Sequence, residues 1–125
     1  MHILIIEDEA LLAMNLRIFL EELGADSCAV AASEAEAIRE ALSRPPDLIA
    51  SDVTLLEGSG PSAVRSIKAR LGDIPVVYVT GQPGLIRDMD PAVPVVAKPI
   101  LWLDLVQAVE PYGLPPRGEA RLSAT

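Results

Sequence analysis

The sequence predicts an α/β domain in which a mostly parallel sheet of five strands is covered by helices on both faces. Short continuous apolar runs of strand length alternate with longer stretches whose apolar residues recur at helical spacing, an order that calls for right-handed crossovers between parallel strands. Half of the residues are hydrophobic but only 3% are aromatic, so the core has to be built from Leu, Ile, Val and Ala, as suits strands buried on both sides. At 125 residues the chain can enclose one such core and has little room for a second.

The first strand is the run Ile3 to Ile6. A helix follows from Ala10, with Leu12, Leu16, Phe19, Leu20 and Leu23 at helical spacing before a stop at Gly24. Ser27 to Ala31 is a short, weak strand. Ser33 to Glu36 has capping-box spacing, and the helix it opens must end at Pro45-Pro46. Asp47 to Ser51 is the third strand, and Pro61 can open a helix that carries Val64, Ile67 and Leu71 to Gly72. Pro75 to Val79, rich in β-branched residues, is the fourth strand. Leu85 to Met89 allows only a brief helix before Pro91 and Pro94; Val95 to Ala97 is a short fifth strand, and Ile100 to Val109 a last helix. The domain is thus expected over 1–110, with 111–125 as an extended or flexible tail, since Pro115-Pro116 and Gly118 interrupt any apolar period there.

Charge excludes several classes of function. The formal net charge is −8 with no block of Lys or Arg, the opposite of a nucleic-acid footprint. Cys28 is the only cysteine, so no internal disulfide or cysteine metal cluster is available, and a small buried thiol in a reducing compartment is expected. Acids arrive at position 7, too early for a signal peptide or a membrane span, which points to a cytoplasmic protein. His2 is expected to be an exposed residue of the first strand, without a second histidine to share a metal, and Trp102 to be partial core.

Four predicted strands end in residues that carry chemistry. Glu7 and Asp8 follow the first, Asp52 the third, Thr80 the fourth and Lys98 the fifth. The carboxyl ends of parallel strands lie along one edge of an open sheet, so these residues, distant in sequence, would meet in one crevice. Glu9 is expected only to cap the helix after it.

This pattern resembles the receiver domain of two-component response regulators over roughly residues 2 to 110: Glu7-Asp8, Asp52, Thr80 and Lys98-Pro99, in that order and at strand ends. The resemblance implies a flavodoxin-like doubly wound sheet of strand order 2-1-3-4-5, an order for which a receiver protein is itself a standard example. It further implies that Asp52 accepts a phosphoryl group, that Glu7, Asp8, Asp52 and the backbone carbonyl of Thr54 hold Mg²⁺, that Thr80 senses the phosphoryl group, and that Lys98 pairs with it. A cis peptide between Lys98 and Pro99 would turn the lysine into the site. The implied partners are a histidine kinase or histidine phosphotransfer protein and a downstream protein, without nucleic acid or membrane.

The chemistry suits those residue types. Three carboxylates within about 4 Å of one another repel by roughly 4 kcal/mol per pair at an effective dielectric constant near 20, a strain that a hard cation or a proton relieves. Mg²⁺ takes oxygen ligands and is often held by one or two carboxylates plus a phosphate. An aspartate nucleophile gives an acyl phosphate, which can be written and hydrolysed.

The sequence also departs from the family. Thr80 and Lys98 are 18 residues apart. That is about one helical turn, roughly 3.6 residues, less than in most receivers, so a shortened or irregular fourth helix is expected. The aromatic that receivers often carry three residues before the lysine is replaced by Val95. Activation-linked dimerisation is therefore not carried over, and a monomer or weak dimer is expected. Val79-Thr80-Gly81 is similar in part to the threonine-glycine motif of small stand-alone receivers of alphaproteobacteria, some linked to general stress signalling. The leading reading is a stand-alone phosphoacceptor receiver, not an enzyme beyond its own phosphorylation and dephosphorylation. The alternative is a degenerate receiver that binds a partner independently of phosphate. A haloacid dehalogenase-type hydrolase would need an acid where Thr54 stands, and a flavodoxin would not place Glu7-Asp8-Glu9 against a cofactor phosphate.

Overall fold

The computed structural model describes residues 1–114. Its five strands are β1 (His2–Ile6), β2 (Ser27–Ala31), β3 (Leu48–Ser51), β4 (Val76–Thr80) and β5 (Val95–Ala97). They form one parallel sheet in the order β2-β1-β3-β4-β5. Between them run α1 (Ala10–Glu22), α2 (Glu34–Ser43), α3 (Gly60–Leu71) and α4 (Pro83–Met89), and α5 (Trp102–Val109) follows β5.

Side chains alternate across a strand, so a sheet covered on both faces needs two apolar layers. Ile3 and Ile5 of β1 join Leu16 and Leu20 of α1 and Leu105 and Val109 of α5 on one face. Leu4 and Ile6 join Ala37 and Ala41 of α2, Ile67 of α3 and Ile86 of α4 on the other. The free thiol of Cys28 is buried in the first layer, where loss of solvation pushes its pKa up to about 11.

Local chemistry sets the helix ends. The Ser33 hydroxyl accepts the Glu36 N–H (3.2 Å) at the start of α2, and the Ser59 hydroxyl accepts the Ser62 N–H (3.2 Å) at the start of α3. Gly24 and Gly72, at φ of 114° and 89°, follow the ends of α1 and α3. α4 is seven residues long, the brief helix that Pro91 and Pro94 allow.

Several expectations are corrected. His2 is buried at 8% exposure, with Nδ1 2.8 Å from the Ser27 hydroxyl, because β1 lies between β2 and β3 and even its first residue is covered. Glu9 occupies the N-cap position of α1, but its side chain makes no cap hydrogen bond. In α1 it is Ala13, not Leu12, that is fully buried with Leu16 and Leu20. α5 begins at Trp102, not at Ile100, and Trp102 is 37% exposed, its ring edge-on to Phe19 with centroids 5.5 Å apart. The packed chain also runs past 110: Glu110–Tyr112 make a 3-10 turn and Leu114 is buried at 2% exposure in the α1/α5 layer. The rest of the expected tail, 115–125, lies outside the described residues. No helix among the described residues is long and apolar enough to cross a membrane.

Two stability measurements check this packing. Leu114→Ala should lower the unfolding free energy in urea by about 2–5 kcal/mol, as loss of a buried leucine does; a change near zero would show that the segment does not close the core. Burial, reinforced by the Arg44 charge, lowers the His2 pKa below its usual 6.5. The unfolded chain then binds the proton more readily, so this contribution is intact above about pH 6.5 and is lost as pH falls towards the native value. His2→Gln should flatten that part of the stability profile, and parallel profiles for the two proteins would contradict it.

Candidate functional site

The carboxyl ends of β1, β3, β4 and β5 do meet at one edge. Backbone ladder bonds carry each element one residue beyond its strand: Glu7 N–H donates to Ala31 O (2.9 Å), Asp52 N–H to Ile6 O (2.8 Å) and Lys98 N–H to Thr80 O (2.9 Å). The Lys98-Pro99 peptide is cis. Lys98 Nζ donates to Glu7 Oε1 at 2.7 Å and to Asp52 Oδ2 at 2.9 Å, so one ammonium bridges the ends of β1 and β3. Glu7, Asp8 and Asp52 each offer a carboxylate oxygen within 4.8 Å of the other two.

The electrostatics follow from this crowding. Burial raises the Glu7 pKa, and the Asp52 charge adds to the rise, although Lys98 and the Glu9 N–H oppose it. For Lys98, burial alone would lower the pKa; hydrogen bonds to Glu7 and Asp52 and their charges outweigh it and leave the pKa raised. Lys98 is therefore a secure cation.

Asp8 is held differently. Its Oδ2 accepts the Leu56 N–H at 2.7 Å, which ties the end of β1 to the loop after β3. Asp52 Oδ1 accepts the N–H of Val53 at 2.7 Å. Thr54 lies on the loop in an isolated bridge to Ser59. A cleft of about 370 Å³ is lined by Asp52, Thr54, Thr80, Gly81, Gln82 and Lys98. Thr80 is buried, and its hydroxyl oxygen accepts the Gln82 N–H at 3.0 Å; among the described residues it makes no hydrogen bond to Asp52. The structure thus brings Glu7, Asp8, Asp52 and Lys98 into direct association and places Thr54 and Thr80 on the walls. An all-oxygen donor set with a buried carboxylate fits a hard divalent cation such as Mg²⁺ better than a soft one.

Sequence reasoning missed the residues that hold the loop after Asp52. A Cβ on Gly60 would fall 1.7 Å from the Asp52 carbonyl oxygen and 2.4 Å from the Ser51 hydroxyl, so α3 begins directly against the Asp52 peptide. Glu34 of α2 reaches across to accept the Ser59 N–H (3.1 Å) and the Ser62 hydroxyl (2.8 Å), and its own N–H donates to Glu57 O (3.1 Å). Those two donors hold the Glu34 carboxyl below its usual pKa. Nothing local in the sequence identifies Glu34 as the anchor of this loop.

Comparison with known proteins agrees with this architecture. A family model described as the response regulator receiver domain matches residues 3–110. The chain is similar to the Phyllosphere-induced regulator PhyR of Methylorubrum extorquens, 41% identical over 83 residues, which are 65% of this chain and 31% of that protein. It is also similar to the transcriptional regulatory protein PdtaR of Mycobacterium tuberculosis, 34% identical over 112 residues, or 86% and 54% of the two chains. The chain therefore spans a third to a half of these relatives. Among solved structures, the receiver domain of Erythrobacter litoralis PhyR superposes with a TM-score of 0.76 at 31% identity, covering 89% of this chain and 88% of that one. The anti-anti-sigma factor PhyR from Bartonella quintana superposes with a TM-score of 0.76 at 31% identity, covering 99% of this chain and 51% of that one.

Two measurements probe the geometry. Gly60→Ala should cost about 3 kcal/mol or more in urea unfolding, because the obstructing atoms are backbone and cannot swing away; unchanged stability would mean that the approach to Asp52 is not tight. The raised Glu7 carboxyl takes up its proton at a higher pH than an ordinary carboxylate, so a proton should compete there with a cation. Calorimetric Mg²⁺ affinity should fall as pH is lowered from 7.5 towards 5, and Glu7→Gln should lessen the slope. An affinity independent of pH would remove Glu7 from the donor set.

Proposed function

Because the chain belongs to the response regulator receiver family, a family of signalling proteins, we propose that it accepts a phosphoryl group on Asp52 from a histidine kinase or histidine phosphotransfer protein. The observation that carries this reading is Lys98 held at 2.9 Å from Asp52 and 2.7 Å from Glu7, beside a third carboxylate, in an open cleft. An Asp52 oxygen forms the bond to phosphorus while the bond from phosphorus to the donor imidazole nitrogen breaks, its electron pair leaving with the nitrogen. Lys98 offsets the negative charge gathering on the phosphoryl oxygens. Mg²⁺ held by Glu7, Asp8, Asp52 and the Thr54 carbonyl would supply further charge neutralisation and orient the phosphoryl oxygens. Thr80, on the cleft wall, would donate its hydroxyl proton to a phosphoryl oxygen.

The phosphodonor must dock beside this cleft, and α1 offers a surface for it. Leu11, Met14 and Ile18, at helical spacing on the helix that starts just after Glu7 and Asp8, are 70%, 58% and 52% exposed. An exposed apolar stripe of that kind marks a protein contact. Output is read as a protein contact too. The net charge of −8 disfavours nucleic acid, and the Bartonella quintana relative is named an anti-anti-sigma factor. A reading without phosphorylation is favoured only by Val95, which stands where receivers often carry the aromatic of the switch.

Incubation with Mg²⁺ and acetyl phosphate should add one phosphoryl group to the intact mass. Asp52→Ala or chelation of the metal should abolish the adduct, and Lys98→Ala should slow it by at least about tenfold. A folded protein that stays unmodified under these conditions would overturn the phosphoacceptor reading and favour the phosphate-independent binding module.

A further inference from the structure

On the face of the sheet covered by α3 and α4 lies a second cavity, of about 270 Å³, away from the carboxylates. Its walls include Val64 of α3, Val76 of β4, Ile86 of α4 and Val93. Tyr78 also lines it and is 7% exposed. Among the described residues the Tyr78 hydroxyl has no hydrogen-bond partner, and it is not sealed from solvent-sized space, so it is directed at the cavity. Burial pushes this phenol up to about 12, which keeps it a proton donor at any working pH.

The hydroxyl reaches the open cavity, where solvent serves it in the empty state and a ligand acceptor can take the place of that solvent. The aliphatic walls select an apolar body but no charge. The rim supplies the missing chemistry. Arg65 and Lys68, one turn apart on α3, line the same cavity. Asp90 stands opposite, but its Oδ1 already accepts the Ala92 N–H at 3.1 Å, and the rim keeps an excess of positive charge. A cavity of about 150 Å³ suffices for benzene, so this one has room for a ring or branched chain with one polar group.

We propose that this cavity binds a small aromatic or branched aliphatic carboxylate, with its apolar body against Val64, Val76, Ile86 and Val93 and its carboxylate met by the Tyr78 hydroxyl and the Arg65 and Lys68 cations. The site does not depend on phosphorylation of Asp52. It nevertheless shares β4 with the cleft, because Tyr78 and Thr80 are two residues apart and project to the same face.

The probe is sodium benzoate, titrated into the ¹⁵N-labelled chain, with benzamide as the neutral isostere and inorganic phosphate as the anion without an apolar body. Benzoate should shift the amides of residues 64–68, 78 and 86–93 saturably. Arg65→Gln with Lys68→Gln, both on the surface of α3, should weaken it roughly tenfold while the remaining spectrum is unchanged, and Tyr78→Phe should weaken it in the same direction. Shifts that never saturate, that map elsewhere, or that benzamide or phosphate reproduces with equal affinity would overturn the proposal.

Discussion

Glu7 is a carboxylate at 4% exposure just beyond the end of β1, an interior strand of the sheet, and the site is arranged around the cost of placing it there. A buried charge without a partner costs several kcal/mol, and two further carboxylates nearby raise that cost. The partner comes from β5, at the edge of the sheet. Its ammonium contacts Glu7 and Asp52 together, so one side chain ties β1, β3 and β5 at their carboxyl ends and passes over the end of β4. This reach depends on strand register. Thr80 pairs with Ala97, which puts Lys98 one residue beyond the sheet, level with the acids. A slip of one residue would turn Lys98 to the other face and leave Glu7 buried without compensation.

The loop after Asp52 is constrained from three directions. From β1, Asp8 takes the Leu56 N–H; from α3, Gly60 abuts the Asp52 peptide; from α2, Glu34 takes two donors at the start of α3. None of these groups touches the Asp52 carboxylate, yet together they settle where the Asp52 backbone lies. On the phosphoacceptor reading proposed above, a nucleophile held in place before its substrate arrives would lower the barrier by removing motions that would otherwise have to be frozen during reaction. Gly58, at φ +86°, belongs to the same device, since a Cβ there would meet the Glu34 side chain at 2.5 Å.

The strands themselves and the composition of the acidic cluster were legible because both depend on local pattern, whereas the strand order followed only from the resemblance to receiver domains. Apolar runs such as Ile3 to Ile6 end where the charged residues begin, and a parallel sheet must align those ends. The supports of the site were not legible. Glu34 lies within the Ser33 to Glu36 stretch that has capping-box spacing, but its role depends on how α2 packs beside α3. The Leu56 N–H is a backbone group that no residue type announces. His2 and Leu114 were misplaced for a related reason: their burial comes from neighbours distant in sequence, β2 and β3 for one and the α1/α5 layer for the other.

Val95 is the departure that bears most on how a signal would leave the cleft. It pairs with Tyr78 across β4 and β5, and paired residues of parallel strands project to the same face, so aromatic bulk is present on this face but one strand over. It lies two residues before Thr80 on the same strand. The Thr80 hydroxyl oxygen is engaged by the Gln82 N–H, and Gln82 is the N-cap of the seven-residue α4. Any movement of Thr80 towards a phosphoryl group therefore pulls on the start of α4, while the hydroxyl proton stays available to donate. A short helix with few packing contacts resists such a pull less than a long one. On the phosphoacceptor reading proposed above, the signal would pass along β4 into α4, in place of an aromatic on β5 that this chain does not have.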